Sequence, residues 1–141
     1  MRPAAFVALA LLAATAGGCE TFEPLTCDRT PENNPEIEYK GGTVEDRVYD
    51  SAQRLDGGGG RERLLFDGGQ RFALKHELGV KPAWVELWLS FDRYDMAEDA
   101  GQEAQAAGNQ AVLTGFDDKY IHVVNDSCAQ YYLRVRAGAS P

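Results

Sequence analysis

The stretch "AWVELWLSF", residues 83–91, decides the fold. Val85, Leu87, Leu89 and Phe91 fall on one side of an extended chain, and Trp84, Glu86, Trp88 and Ser90 on the other. Successive side chains of a strand point to opposite faces, so this period of two marks a strand with one face on a core. Valine and the aromatic residues suit such a pleated, half-buried surface. Gly79 to Pro82 makes the turn before it.

The same texture extends in both directions. Downstream, "QAVLTGF" (110–116), "KYIHVV" (119–124) and "QYYLRVRA" (130–137) read as three further strands, with turns at Asp117-Asp118 and Asn125-Asp126. Ile121 and Val123 share a face, as do Tyr131, Leu133 and Val135. Upstream, "RERLLFDGGQRFALKHEL" (61–78) reads as a hairpin turned at Asp67-Gly68-Gly69. Phe72, Leu74, His76 and Leu78 point one way in it; Arg71, Ala73, Lys75 and Glu77 point the other. "LDGGGG" (55–60) is a flexible loop or wide turn, because four glycines hold neither helix nor strand cheaply. "EIEYK" (36–40) and Val48-Tyr49 supply short strands at the start. Residues 92–110 lose the alternation. Alanines in "MAEDAGQEAQAA" favour a weak helix, but Gly101 and the missing apolar stripe favour a loop. These segments predict an all-β chain: a single antiparallel β-sandwich of about seven or eight short strands.

Bulk properties agree with one packed domain. The chain has 141 residues, room for one ordinary domain, and its 44% hydrophobic content supports a core. Fourteen Lys and Arg stand against 22 Asp and Glu, for a net charge of −8. Nucleic-acid binding needs clustered positive charge to displace counterions, so the composition argues against it. Electrostatics would also repel the chain from anionic membranes.

The N-terminus offers another route to a membrane. Arg2 is the first and only charge before Glu20, and "AAFVALALLAATA" (4–16) has the length of a signal-peptide apolar region. It is shorter than the ~20 residues that span a bilayer. Ala16-Gly17-Gly18-Cys19 then resembles the lipobox of bacterial lipoproteins, with Ala where Leu is commonest. The resemblance implies cleavage before Cys19, a lipid thioether on it and acylation of the new N-terminus. Several acyl chains make a stable anchor where one is marginal. The alternative is an ordinary secretory signal with an incidental cysteine. On the lipoprotein reading, residues 1–18 are the signal peptide and 19–36 a lipidated N-terminus and extended tether that includes "DRTPENNPE" (28–36). Residues 37–137 are the sandwich and 138–141 a tail. Glu20, rather than Asp, after the lipid cysteine leans toward the outer membrane.

With Cys19 lipidated, Cys27 and Cys128 remain of the three cysteines. An oxidising envelope compartment favours their disulfide; two free thiols are the alternative.

Catalytic signatures are absent: no GxSxG, no Walker loop, no HExxH and no CxxC. His76 and His122 each lie in an expected strand and read as structural or exposed. Asp92, Asp95, Glu98 and Asp99 offer oxygen atoms but lack an EF-hand arrangement, so they read as a solvated acidic loop. The expectation is a non-enzyme with no cofactor and no metal. If Val85, Leu87, Leu89 and Phe91 face the core, Trp84 and Trp88 face outward with Glu86 between them. Flat rings beside a carboxylate can stack on sugars or anchor a protein partner. Cover by the 92–110 loop is the plainer outcome.

Residues 72–137, through "HELGVKPAWVELWLS", "GFDDKYIHVVN" and "YYLRVRA", resemble the small β-sandwich modules of phage tail fibres and H-type lectins. The layout of lipobox, tether and disulfide-closed β-domain is similar to outer-membrane lipoproteins of myxobacteria-like bacteria. These resemblances imply a cell-envelope interaction module, an accessory to adhesion, gliding motility or envelope assembly. Its partner would be another envelope protein or, alternatively, a glycan held by Trp84, Glu86 and Trp88.

Overall fold

The computed structural model describes residues 27–57, 59–96 and 102–140, without the side chain of Met96. The signal segment and Cys19 lie outside the described residues. The fold is all-β and sandwich-like, with 13 strands and no helix among the described residues. In chain order they are β1 (Ile37–Tyr39), β2 (Thr43–Glu45), β3 (Val48–Asp50), β4 (Gln53–Arg54), β5 (Gly60–Glu62), β6 (Leu64–Phe66) and β7 (Arg71–Lys75). Then come β8 (Trp84–Ser90), β9 (Tyr94–Met96), β10 (Ala104–Gln105), β11 (Val112–Phe116), β12 (Tyr120–Val124) and β13 (Tyr131–Gly138). More strands form than expected because several are only two or three residues long, too short to show a period.

One sheet has the order β1-β7-β12-β11, and the facing sheet the order β10-β8-β13-β3-β2. The first sheet is mixed rather than purely antiparallel, because β1 runs parallel to β7. In the second, β13 is the organising strand. It pairs with β8 from Tyr132 to Gly138 along one edge. Along its other edge it pairs with β6 at Tyr131–Leu133 and with β3 at Arg136–Gly138. A third sheet, β4-β5-β9, is built from segments of two or three residues.

The core lies between the two large sheets. Phe72, Leu74, Ile121 and Val123 project from one; Tyr49, Phe66, Leu89, Tyr131, Leu133, Val135 and Ala137 project from the other. Phe72 pairs with Val123 and Leu74 with Ile121, so these four form a continuous apolar patch. The alternation expected for Phe72, Leu74 and His76 is seen, with all three buried.

The expected hairpin over 61–78 is not formed. β6 belongs to one large sheet and β7 to the other, so Asp67-Gly68-Gly69 is an arch between sheets. The stacked rings of Phe66 and Phe72, 5.9 Å apart at their centroids, bridge the two sheets beneath it. The turn residues are those a hairpin would use; what overrides that geometry is burial of both rings in the shared core. Two further expectations change. Phe91 lies beyond the end of β8 and is 80% exposed rather than in the core. Gly138, assigned to the tail, ends β13 and pairs with Trp84.

Cys27 and Cys128 are joined by a disulfide, with Cα atoms 5.3 Å apart. The segment that follows Cys27 is a docked clasp, where the sequence suggested an extended tether. Asp28 accepts hydrogen bonds from the Thr30 N–H and Oγ1 at 2.9 and 2.7 Å, and Asn34 N–H closes a turn onto Thr30 O. Arg29 donates to the Asp126 carbonyl at 2.7 Å. Polar residues favour a loop, and here side-chain acceptors close that loop on itself. Asn125, fully buried, holds the adjoining turn. Its amide donates to Phe66 O and Ala129 O, and its Oδ1 accepts from Ser127 N–H and Oγ.

Candidate functional site

The outward face of β8 carries the residues singled out in the sequence. Trp84, Glu86, Trp88 and Ser90 stand opposite Gly138, Arg136, Arg134 and Tyr132 of β13. Trp84 lies flat over Gly138, whose missing side chain makes room; any Cβ there would collide with the indole ring. Trp84 is 37% exposed. Trp88 is half-buried and donates from Nε1 to Glu86 Oε2 at 3.3 Å. The other charge near Glu86 is Arg136, at 3.9 Å, with both side chains about two-fifths exposed. The fold therefore brings Trp84, Glu86, Trp88 and Arg136 into one strip on one sheet face. Arg136 escaped the sequence reading, although its place in the alternation of β13 puts it on the outward side.

Beside this strip the outer face is covered. Arg134 pairs with Asp50 at 2.7 Å and with Glu103 at 3.2 Å. Arg63 donates from Nε to Glu103 at 2.6 Å, and Arg61 pairs with Asp50. Asp95 stands 3.8 Å from Arg63 and 3.7 Å from Arg134. These pairs tie the third sheet to β3 and β13. Burial alone would lower the Arg134 guanidinium, but its hydrogen bonds and charge contacts with Asp50 and Glu103 raise it above its usual value. Arg63, with 2% of its side chain exposed, is paired with Glu103 and donates to the Asp92 carbonyl at 3.0 Å. The cluster is internally paired and reads as structural bonding between layers. Asp95, expected in a solvated acidic loop, belongs to it; Glu98 and Asp99 lie outside the described residues.

The histidines occupy separate places. His76 is fully buried, its Nδ1 accepting from Leu78 N–H at 3.2 Å and its Nε2 lying 3.2 Å from Asp117 O. Both ring nitrogens are thus engaged with backbone. His122 meets Glu36 at 2.8 Å on the first sheet. Asp117 caps its own turn, accepting from Tyr120 and Lys119 N–H, which hold its carboxyl below the usual value. Among the described residues no group of three or more His, Cys, Asp or Glu is placed to hold a metal ion.

No protein-family model, curated protein or solved structure matches this chain.

Proposed function

We propose that this protein is a lipid-anchored cell-envelope protein whose sandwich is a non-catalytic interaction module. Its contact surface is the strip of Trp84, Glu86, Trp88 and Arg136. The carrying observation is the placement of Trp84, an exposed indole held flat by Gly138 beside the Glu86–Arg136 pair. Tryptophan and arginine dominate the energetics of protein contacts, and a ring fixed before binding loses little entropy on contact. The lipobox-like segment supports the lipid anchor at Cys19, and Glu20 after it supports an outer-membrane site. The partner on this reading is another envelope protein, in adhesion, gliding motility or envelope assembly.

In-cell crosslinking followed by purification tests this reading. A protein crosslinked to the native chain and lost from Trp84→Ala and Arg136→Ala, with membrane retention unchanged, is the expected result. A chain recovered alone overturns it. The anchor is tested separately: Cys19→Ala should abolish acyl labelling and release the chain from membranes.

A glycan is the second reading, favoured by the hydrogen bond that sets the Glu86 carboxylate beside the Trp88 indole. Titration of tryptophan fluorescence with envelope polysaccharides should then shift the emission, and no shift with any of them rules the reading out.

A further inference from the structure

We infer that Asp56-Gly57 is a self-modification site, where the backbone rearranges to isoaspartate through a cyclic imide, and that the fold withholds the same chemistry from Asp67-Gly68.

Asp-Gly-Gly occurs twice in the chain, at 56–58 and 67–69. The amide that follows an aspartate can close on the aspartate side chain. Glycine favours this closure because no Cβ obstructs the approach and its backbone reaches conformations that other residues avoid. Local sequence makes the two sites near-equals, and their surroundings separate them.

Asp56 and Gly57 begin the turn that joins β4 to β5, which the Leu55 N–H closes by donating to Gly60 O at 3.0 Å. Both residues are exposed. Beyond its chain neighbours, a Cβ on Gly57 would meet no heavy atom within 4 Å among the described residues. The peptide between Asp56 and Gly57 can therefore rotate without displacing a packed group. Asp67 is held on every side. Its N–H donates to Gln70 Oε1 at 2.8 Å, its carbonyl accepts from Gln70 N–H at 3.0 Å, and its carboxylate accepts from the Gln130 amide. Gly68 packs on the Ser127 and Cys128 backbone, and Gly69 N–H donates to Asn125 O at 2.9 Å. Rotation of that peptide requires the arch to open first, and a group that reacts only from an opened state is slowed by the rarity of that state.

In the first step the Gly57 nitrogen attacks Cγ of the protonated Asp56 carboxyl. A C–N bond forms, the C–O bond to the hydroxyl breaks, and the hydroxyl leaves with the amide proton as water. Water then opens the five-membered imide. Opening at Cγ restores aspartate, and opening at the α carbonyl leaves the main chain running through the side chain. The water lost is regained, so the product is an isomer, longer by one methylene within the turn between β4 and β5.

The native chain, disulfide intact, is incubated at neutral pH over weeks and digested with trypsin, which places Asp56 in the peptide Leu55–Arg61 and Asp67 in Leu64–Arg71. Chromatography separates the isoaspartyl form of each peptide, and electron-transfer fragmentation identifies it. Isoaspartate should accumulate at Asp56 faster than at Asp67 by about tenfold or more, and Asp56→Glu should remove it there. In urea with reductant the two rates should converge. In the Cys27→Ser/Cys128→Ser chain Asp67 should quicken relative to Asp56, because its seat is loosened. Equal rates in the native chain overturn the inference. So does a difference that persists in urea, which would place its cause in local sequence. Isoaspartate at neither site of the native chain, where the urea sample forms it, overturns the inference as well.

Discussion

Gly68 lies so close to Cys128 that a Cβ on residue 68 would stand 2.8 Å from the half-cystine Cα. The neighbouring Gly69 is in the left-handed region, φ +80°, and faces Asp28 O and the Arg29 backbone. The pair of glycines forms the seat in which the disulfide and clasp rest. Gly68→Ala should cost about 1–3 kcal/mol, because the atoms it meets are backbone and cannot rotate away. Urea unfolding without reductant should show the lowered midpoint. A midpoint equal to that of the native chain would show that the clasp does not press on residue 68.

The disulfide joins residues separated by 101 positions. Replacing both cysteines with serine should lower stability by about 2–5 kcal/mol. The clasp should loosen as well, since Arg29 then holds Asp126 only through exposed hydrogen bonds. Limited trypsin digestion is expected to cut after Arg29 faster in the Cys27→Ser/Cys128→Ser chain. Equal cutting rates would mean the clasp holds by its polar contacts alone.

Glu103 links Arg63 and Arg134 across the layer boundary. Glu103→Ala leaves the buried Arg63 guanidinium with Asp95, at 3.8 Å, as its remaining carboxylate and the Asp92 carbonyl, at 3.0 Å, as its remaining hydrogen-bond acceptor, and should cost about 3 kcal/mol. The double change Arg63→Met/Glu103→Leu should cost less than Glu103→Ala, because it removes the stranded charge and leaves apolar volume. Thermal unfolding of the three chains measures the order; a double variant less stable than the single one contradicts it.

Acid should weaken the fold through defined carboxyls. Asp28 is held below its ordinary value of 3.8 chiefly by the Thr30 N–H, then by Thr30 Oγ1 and the Asn33 amide. Asp117 is held below the same value by the N–H groups of Tyr120 and Lys119. Each binds its proton more readily when unfolded. Their stabilisation is therefore full above 3.8 and is lost as pH falls through that value toward the lower folded one. The unfolding midpoint should drop below about pH 4, and less steeply in Asp117→Asn, which begins from a lower midpoint at neutral pH. Identical slopes for the two chains would exclude Asp117 as a contributor.

What the sequence revealed depends on how each strand is buried. β7, β8, β12 and β13 have one face on the core, and their period of two is plain in Phe72/Leu74, Val85/Leu87/Leu89, Ile121/Val123 and Leu133/Val135. β5 and β9 direct charged side chains into an ion-pair cluster instead, and the two residues of β4 are exposed. Arg61 and Asp95 face Asp50 and Arg134 there, so no apolar signal marks them. Asp67-Gly68-Gly69 announced a turn, but the same residues serve a hairpin and an arch. Which one forms depends on where Phe66 and Phe72 are buried. In the candidate strip, Trp84, Glu86 and Trp88 were legible from their alternation. Their neighbour Arg136 and the slot at Gly138 arise from cross-strand register, which one strand's sequence does not contain.

β13 also fixes when the molecule can fold. It is the last strand among the described residues, yet it supplies the pairing edges for β8, β6 and β3, and Cys128 lies just before it. A chain emerging from its N-terminus has no second sheet to complete, and no partner for Cys27, until Cys128 and β13 have appeared. The second sheet is closed by β13, so a chain cut before Tyr131 should leave the preceding residues without a fold.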